Sequence, residues 1–167
     1  MKTDTQRTDQ TARSPVEVRC AVIGLGRIGF SLEDDERREK PCTHTGAILA
    51  DGTCTLVGGC DTEAAARDAY KQRFNVPVYD SPDDLLRDTR PHIVCIATYP
   101  DSHCELVEAA VRHNVPVAVC EKPLAHRLRD GRRIASLHQS GRIRVLTNHE
   151  RRYSGDYLAA RTAIRWT

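Results

Sequence analysis

Three short stretches carry residue types and spacings that could do chemistry. The first is a glycine pattern, Gly24-x-Gly26-x-x-Gly29, which comes directly after an apolar, β-branched run that begins at Val18. In a turn from strand to helix, such glycines permit the tight bend, let the backbone approach a diphosphate and let the helix pack against the strand. Backbone N–H groups and the helix dipole would face the phosphates. The pattern favours dinucleotide binding, although glycines also serve plain structural turns.

The second candidate is an acidic residue, Asp61, at the end of the second predicted strand. A carboxylate there can accept hydrogen bonds from both hydroxyls of an adenosine ribose. It also repels a 2′-phosphate, so the position favours NAD over NADP. Asp61 lies 32 residues after Gly29, beyond the usual interval of about 20, and a charged insertion at 33–41 accounts for much of the excess. The alternative is that Asp61 caps the helix that follows.

Two further groups follow the fourth and fifth predicted strands. In Glu121-Lys122-Pro123, a partly desolvated lysine beside an oxidised nicotinamide ring would have its ammonium form disfavoured. Its amine could then exchange a proton with a substrate hydroxyl or carbonyl, whereas a surface Glu–Lys pair is the alternative. His103 lies in a first helical turn, where a surface or capping role competes with a catalytic one. Its neighbour Cys104 has no second pair of ligands, so no metal site is predicted.

The elements that must position these residues alternate along the chain. Six short apolar strands with intervening helices predict right-handed crossovers and an α/β fold with a doubly wound parallel sheet. Residues 1–15 are expected to be a polar, disordered leader, and residues 16–150 a dinucleotide-binding domain. Residues 151–167 are expected to form a helix that leads towards a further domain.

Local patterns predict two helix starts and one interruption. Ser81 followed by Pro82 places a capping hydroxyl before a favourable first helical residue. Ser102-x-x-Glu105 is the pattern of a capping box, in which the serine accepts a backbone N–H of the next helix. The charged run 33–41 predicts a short helical turn and then an exposed insertion.

Charge and cysteine usage exclude some classes of partner. The 167-residue chain has a formal net charge of +2, which indicates neither a nucleic acid nor a membrane surface. From Glu121 onward, eleven Lys/Arg accompany four Asp/Glu, and solvated helix faces are favoured over an anion-binding surface.

The seven cysteines form no CxxC pair. Four of them (Cys20, Cys60, Cys95 and Cys120) fall in or beside strands as buried thiols, which fits a cytoplasmic location. No apolar run approaches the ~20 residues of a membrane span.

Taken together, these motifs resemble the amino-terminal Rossmann domain of the glucose-fructose oxidoreductase/inositol dehydrogenase (Gfo/Idh/MocA) family. The resemblance covers about residues 16–157. It rests on five motifs in the family's order and spacing: Gly24-Leu-Gly-Arg-Ile-Gly29, Cys60-Asp61, Thr98-Tyr-Pro-Asp-Ser-His103, Glu121-Lys-Pro123 and Arg151-Arg-Tyr153.

The resemblance implies a role for each matched position. The pyrophosphate would be wrapped by Gly24, Gly26, Arg27, Ile28 and Gly29, and the adenosine ribose would be held by Asp61. The nicotinamide side would be lined by Thr98, Pro100, His103 and Arg152. The nicotinamide ribose and the substrate would be met by Glu121 and Lys122, with Lys122 as the catalytic residue and a cis bond before Pro123.

The function that this resemblance implies is hydride transfer between NAD, with NADP less favoured, and a sugar, cyclitol or related hydroxyl or carbonyl compound. Family members carry a carboxyl-terminal α/β domain that supplies a catalytic histidine, most substrate contacts and the oligomer interface. That domain is not expected within this chain. Two other functions stay open: a non-catalytic dinucleotide-binding or redox-sensing module, and anion or nucleic-acid binding through the arginine-rich end.

Overall fold

The computed structural model describes residues 17–164, and the leader predicted at 1–15 lies outside them. Six strands form one parallel sheet in the order β3-β2-β1-β4-β5-β6. The strands are β1 (Val18–Ile23), β2 (Cys54–Cys60), β3 (Val78–Tyr79), β4 (Ile93–Ile96), β5 (Val117–Glu121) and β6 (Arg144–Asn148). This order is that of the doubly wound dinucleotide-binding sheet, so the predicted fold class is confirmed.

Helices cover both faces of the sheet. They are α1 (His44–Ala50), α2 (Ala64–Phe74), α3 (Pro82–Thr89), α4 (His103–Arg112), α5 (Leu128–Gln139) and α6 (Gly155–Ile164). Along β1, Ala21 and Ile23 pack into the core beneath α3, α4 and α5, whereas Cys20 and Val22 pack beneath α1 and α2. From Cys20 to Ile23 both faces of β1 are buried, so these four residues are all apolar and do not alternate. Within residues 17–164, no helix is both long and apolar enough to cross a membrane.

Both predicted helix starts are confirmed, but only the first has the predicted capping hydrogen bond. The Ser81 hydroxyl accepts the Asp84 N–H at 3.3 Å and begins α3. The Ser102 hydroxyl accepts no N–H of α4, because it donates to the Tyr99 carbonyl at 3.0 Å and shares a 2.7 Å hydrogen bond with the Thr98 hydroxyl. The predicted capping box is therefore absent, and this serine instead braces the loop that follows β4.

The last described segment is a 3₁₀ turn, Glu150–Tyr153, followed by α6. Every residue of α6 is exposed, including Tyr157 and Ile164. Within the described residues, the helix predicted in 151–167 begins at Gly155, and Trp166 lies outside these residues. The domain division at residue 150 stays a prediction.

An excursion, defined as residues 32–43, interrupts the first crossover helix. The N–H of His44 donates to the Ile28 carbonyl at 3.0 Å, and the N–H of Thr45 donates to the Gly29 carbonyl at 3.0 Å. In a continuous helix each carbonyl pairs with the N–H four residues later. Here the partner comes sixteen residues later, so twelve residues are inserted while the helical register is kept.

The excursion explains the unusual position of Asp61. Without its twelve residues, the 32-residue interval from Gly29 to Asp61 becomes 20, which is the usual spacing in this kind of fold. The insertion predicted at 33–41 is confirmed, including its short 3₁₀ turn at Ser31–Asp34, and it is slightly longer than the charge run indicated.

Because the register is kept, the excursion should be removable. We expect deletion of residues 32–43, which joins Ser31 to His44, to give a domain with native far-UV circular dichroism and one cooperative thermal transition. The matched control deletes only 32–42, and the one extra residue rotates His44 by about 100° around the helix. That variant should melt at a markedly lower temperature. Equal melting temperatures for the two deletions would contradict the claim that the helix resumes in the same register after the excursion.

Candidate functional site

The strand order reverses between β1 and β4, which opens a crevice at the carboxyl ends of the strands. Ligands of open α/β sheets bind in this crevice. A cavity of about 770 Å³ lies there. Its walls bring together eight of the predicted site residues: Gly24, Gly26, Arg27, Ile28, Asp61, Thr98, Glu121 and Lys122.

The glycine turn has one open side and two crowded ones. Gly24 has a φ of +94°, and a β-carbon there would lie 2.7 Å from the backbone of Ala97. A β-carbon on Gly29 would overlap the Gly24 carbonyl oxygen. A β-carbon on Gly26 would have no neighbouring atom within 4 Å, and Gly26 lines the cavity. The outer glycines are thus required by the bend itself, and the middle one leaves backbone accessible to a ligand.

The Asp61 carboxylate joins the end of β2 to the glycine turn. One oxygen accepts the Leu25 N–H at 2.7 Å, and the other accepts the Glu63 N–H at 2.9 Å. The second bond closes a turn of Asp61 onto Glu63, and Glu63 is the N-cap residue of α2, so the alternative that Asp61 itself caps this helix is wrong. Each carboxylate oxygen has a further lone pair, so Asp61 can still accept a sugar hydroxyl in the cavity that it lines.

A buried polar cluster lies beneath the other end of the cavity. One oxygen of Glu121 accepts the His44 ring N–H at 3.0 Å and the Asn148 amide at 2.6 Å. The other accepts the backbone N–H of Lys122 at 3.3 Å. Glu121 and His44 are 7% and 8% exposed, so a charge on either needs the other as partner. Glu121 therefore orients Lys122 through its backbone.

The pKa values of this pair move in opposite directions. Burial alone would lower the pKa of His44, but hydrogen bonds to the Cys95 thiol and the Glu121 carboxylate outweigh it and raise the pKa to about 9. Burial would raise the pKa of Glu121, but hydrogen bonds from His44 and Asn148 hold it below its ordinary value. Both shifts favour an imidazolium–carboxylate pair at neutral pH.

The Lys122 side chain is exposed at the rim and lines the cavity. Among residues 17–164, no carboxylate lies within ion-pairing distance of its ammonium group. The bond from Lys122 to Pro123 is cis, as predicted, and so is the bond from Lys40 to Pro41, which was not predicted. The lysine amine is thus available to a ligand.

Three residues predicted for the nicotinamide side do not line this cavity. His103 is fully buried, and its ring nitrogens lie 3.1 Å from the Thr98 carbonyl and 3.3 Å from the Leu124 carbonyl. Its side chain therefore ties two loops together, which corrects the expectation that it faces the cofactor. Pro100 is half-buried, and Arg152 is exposed on the 3₁₀ turn after β6.

Several wall residues were missed by the sequence analysis. The cavity also contacts Leu32, Arg38, Thr62, Glu63, Ala97, Tyr99 and Glu150. Of these residues only Tyr99 falls within a quoted motif, and the Glu121 partners His44 and Asn148 fall in none. His44 is 77 residues from Glu121 in the sequence, and only the folded sheet brings the two together.

All seven cysteines are free thiols. Cys20, Cys60, Cys95 and Cys120 are buried, as predicted, and the other three are half-buried. Burial raises the pKa of Cys60 and of Cys120 to about 12, so these thiols are protonated and unreactive at neutral pH. Within residues 17–164, no group of His, Cys, Asp and Glu could hold a metal ion.

Comparison with known proteins decides the family. The model of the GFO_IDH_MocA group, described as "Oxidoreductase family, NAD-binding Rossmann fold", matches residues 18–149. The chain belongs to the Gfo/Idh/MocA family. Its NAD-binding Rossmann domain is the part that the match covers.

Curated relatives within the Gfo/Idh/MocA family are longer than this chain. An uncharacterized oxidoreductase of Schizosaccharomyces pombe is 32% identical over 147 residues, which are 88% of this chain and 38% of the relative. Inositol 2-dehydrogenase of Paracoccus denitrificans is 29% identical over 148 residues, which are 88% of this chain and 41% of that enzyme. The chain thus spans about two fifths of the length of these relatives.

Solved structures share the Gfo/Idh/MocA fold. The WlbA dehydrogenase of Bordetella pertussis, in complex with NADH and UDP-GlcNAcA, superposes with a TM-score of 0.76 at 24% identity, over 90% of this chain and 42% of that one. The myo-inositol 2-dehydrogenase of Lactobacillus plantarum gives a TM-score of 0.75 at 22% identity, over 89% and 41% of the two chains.

The His44–Glu121 pair makes stability depend on pH. Because the folded-state pKa of His44 is raised to about 9, its stabilising effect is complete below about pH 6.5 and is lost as pH rises through 9. We expect the wild type to exceed His44→Gln in unfolding free energy by about 2 kcal/mol or more near pH 6. In urea titrations that difference should shrink steadily towards pH 10.

The matched control is His126→Gln, because His126 pairs with Asp101 at 3.1 Å on the exposed surface. This variant should follow the wild type at every pH. A wild-type advantage over His44→Gln that stays constant from pH 6 to pH 10 would contradict a charged His44.

Proposed function

We propose that this chain is the cofactor-binding domain of an NAD-dependent oxidoreductase that acts on a CH–OH group or carbonyl of a sugar, cyclitol or related polyol. The observation that carries the proposal is a single cavity that joins an open glycine turn, the Asp61 carboxylate and the Lys122 amine. The family match supports the cofactor. Relatives named as inositol 2-dehydrogenases support the substrate class.

Each wall of the cavity has its own part in this proposal. The accessible backbone at Gly26 and the side chain of Arg27 bind the diphosphate, and Asp61 accepts the hydroxyls of the adenosine ribose. NAD, when bound, supplies the hydride acceptor or donor. Lys122 then takes the proton from the substrate hydroxyl during oxidation and returns it to the carbonyl oxygen during reduction. Glu121, fixed from below by His44 and Asn148, holds the backbone from which Lys122 reaches the substrate.

Charge at the adenosine end favours NAD over NADP. A 2′-phosphate would lie against the Asp61 carboxylate, with Glu63 as a second acid in the same wall. Like charges at short range in a partly enclosed cavity repel strongly. We infer that NADPH binds more weakly than NADH.

A cytoplasmic location and a homo-oligomeric state belong to this proposal as well. The seven free thiols support a reducing compartment, whereas the oligomer is implied by family membership alone. A nucleic-acid partner is not proposed, because the net charge of +2 gives no strongly basic field, and two arginines of the basic end already have carboxylate partners. Arg129 pairs with Asp130 at 3.0 Å and Arg133 pairs with Glu108 at 2.6 Å.

Hydride transfer separates the enzyme from a non-catalytic dinucleotide-binding module. In a form of the protein extended to the length of its relatives, we expect NAD reduction with at least one compound from a panel of polyols and sugars. Lys122→Met should lower kcat by about a hundredfold or more, the scale of general acid–base catalysis, while NADH binding stays within about twofold.

The matched control is Lys71→Met, which removes an exposed lysine of α2 that does not line the cavity. Its turnover should equal that of the wild type. Unchanged turnover in Lys122→Met would overturn the role of this lysine. Tight NADH binding without turnover on any member of the panel would favour the non-catalytic module.

A further inference from the structure

We propose that the excursion is a second wall of the cofactor cavity, and that Arg38 on it binds the diphosphate of the dinucleotide. The inference rests on the proposed function and adds a residue that the glycine motif does not contain. Three features of the excursion support this role. The excursion is held in place by hydrogen bonds, it lines the cavity, and it carries the guanidinium of Arg38 there.

The excursion is fixed at its base. One Glu33 carboxylate oxygen accepts the Thr43 hydroxyl at 2.6 Å and the Cys42 N–H at 3.2 Å, so the two ends of the excursion are joined. The same carboxylate fills the space beside Gly46, where a β-carbon would overlap it. Thr43 in turn accepts the Gly46 N–H at 2.9 Å and begins α1. The excursion is therefore anchored to the helix that it interrupts.

The body of the excursion is held as well. The Lys40 ammonium donates to the Asp35 carbonyl at 2.8 Å and to the Leu32 carbonyl at 3.3 Å. Asp34 pairs with Arg73 of α2 at 2.7 Å, which ties the excursion to a second helix. A segment with these bonds can present a side chain at a defined place, as a binding wall requires.

Two residues of the excursion, Leu32 and Arg38, line the cavity together with Gly26 and Arg27. The Arg38 side chain is 48% exposed, and among the described residues its one ion-pair partner is Asp35, 3.5 Å from Nε. A contact at that distance is loose and partly screened. The terminal N–H groups of the guanidinium are thus left for a ligand.

The balance of charges in the cavity wall indicates that Arg38 binds the diphosphate of the dinucleotide. The cavity wall carries four carboxylates, at Asp61, Glu63, Glu121 and Glu150. A diphosphate adds further negative charge, and it needs cations other than Lys122, which the proposed function places at the substrate. Arg27 and Arg38 are the remaining cations of the described wall. A guanidinium suits this task, since its fork of donors matches phosphate oxygens.

The chain offers a matched pair of variants for the test. Arg38 lines the cavity, whereas its neighbour Arg37 is also exposed to solvent but does not line it. We would titrate wild type, Arg38→Ala and Arg37→Ala with NADH and with ADP-ribose, which keeps the diphosphate and lacks the nicotinamide. Thermal melts of the three proteins should coincide, because both side chains are on the surface.

Arg38→Ala should weaken both ligands by about tenfold, the effect of losing one charge-assisted hydrogen bond, and Arg37→Ala should change either affinity by less than twofold. The 32–43 deletion should reproduce the Arg38→Ala loss. NADH affinity unchanged in Arg38→Ala would overturn the inference and leave the proposed function intact. So would a loss for NADH that ADP-ribose does not share, since Arg38 would then act at the nicotinamide half. Failure of the wild type to bind NADH would contradict the proposed function, and this inference with it.

Discussion

The site depends on one contact, the 2.7 Å hydrogen bond from the Leu25 N–H to the Asp61 carboxylate. It fixes the glycine turn against the end of β2, so that a diphosphate-binding backbone and a ribose-binding acid share one cavity. The bond requires close approach of the turn to the strands, and that approach requires glycine at positions 24 and 29. Any side chain at these two positions would move the turn, and the carboxylate would lose its partner.

The other end of the cavity is governed by the cost of burying charge. Glu121 is nearly inaccessible to solvent, and a carboxylate there is tolerated only because an imidazolium and an amide meet it. His44 reaches Glu121 from the first residue of α1, and it does so because the excursion keeps the helical register. The N–H groups of His44 and Thr45 bond to the carbonyls of Ile28 and Gly29, so the helix resumes in phase after the excursion and His44 faces its partner. The excursion can thus add a wall to the cavity without disturbing the pair beneath it.

The sequence predicts the elements well and the contacts between distant elements poorly. Strands β1, β4 and β5 contain continuous apolar runs, at Cys20–Ile23, Ile93–Ile96 and Val117–Cys120, because helices cover both faces of the sheet there. This pattern identifies the three strands without a structure. The glycine spacing and Asp61 predict the cofactor cavity for a similar reason, since the chemistry is local. The His44–Glu121–Asn148 cluster was not predictable, because it joins three elements through side chains and no local pattern records such a pairing.

Two local predictions failed in part, because side chains after β4 take other hydrogen-bond partners. Ser102 begins α4 as predicted, yet its hydroxyl bonds to Thr98 and Tyr99 and to no N–H of the helix. The His103 ring is buried between the Thr98 and Leu124 carbonyls and does not face the cavity. Hydroxyl and imidazole groups accept several partners, so the fold and not the motif decides which partner they take. The length of the excursion could be inferred from the displaced acid, but its fixed register could not.

The central claim is that Asp61 and the glycine turn together select NAD, and calorimetric titration with NADH and NADPH tests it most directly. The account predicts that the wild type binds NADH more tightly than NADPH, and that Asp61→Asn, which removes the charge and keeps an acceptor, narrows this difference. Asp68→Asn, at an exposed residue of α2, serves as the control and should leave the difference between NADH and NADPH affinity unchanged. Equal affinity of the wild type for the two dinucleotides, or no heat from either, would contradict the account.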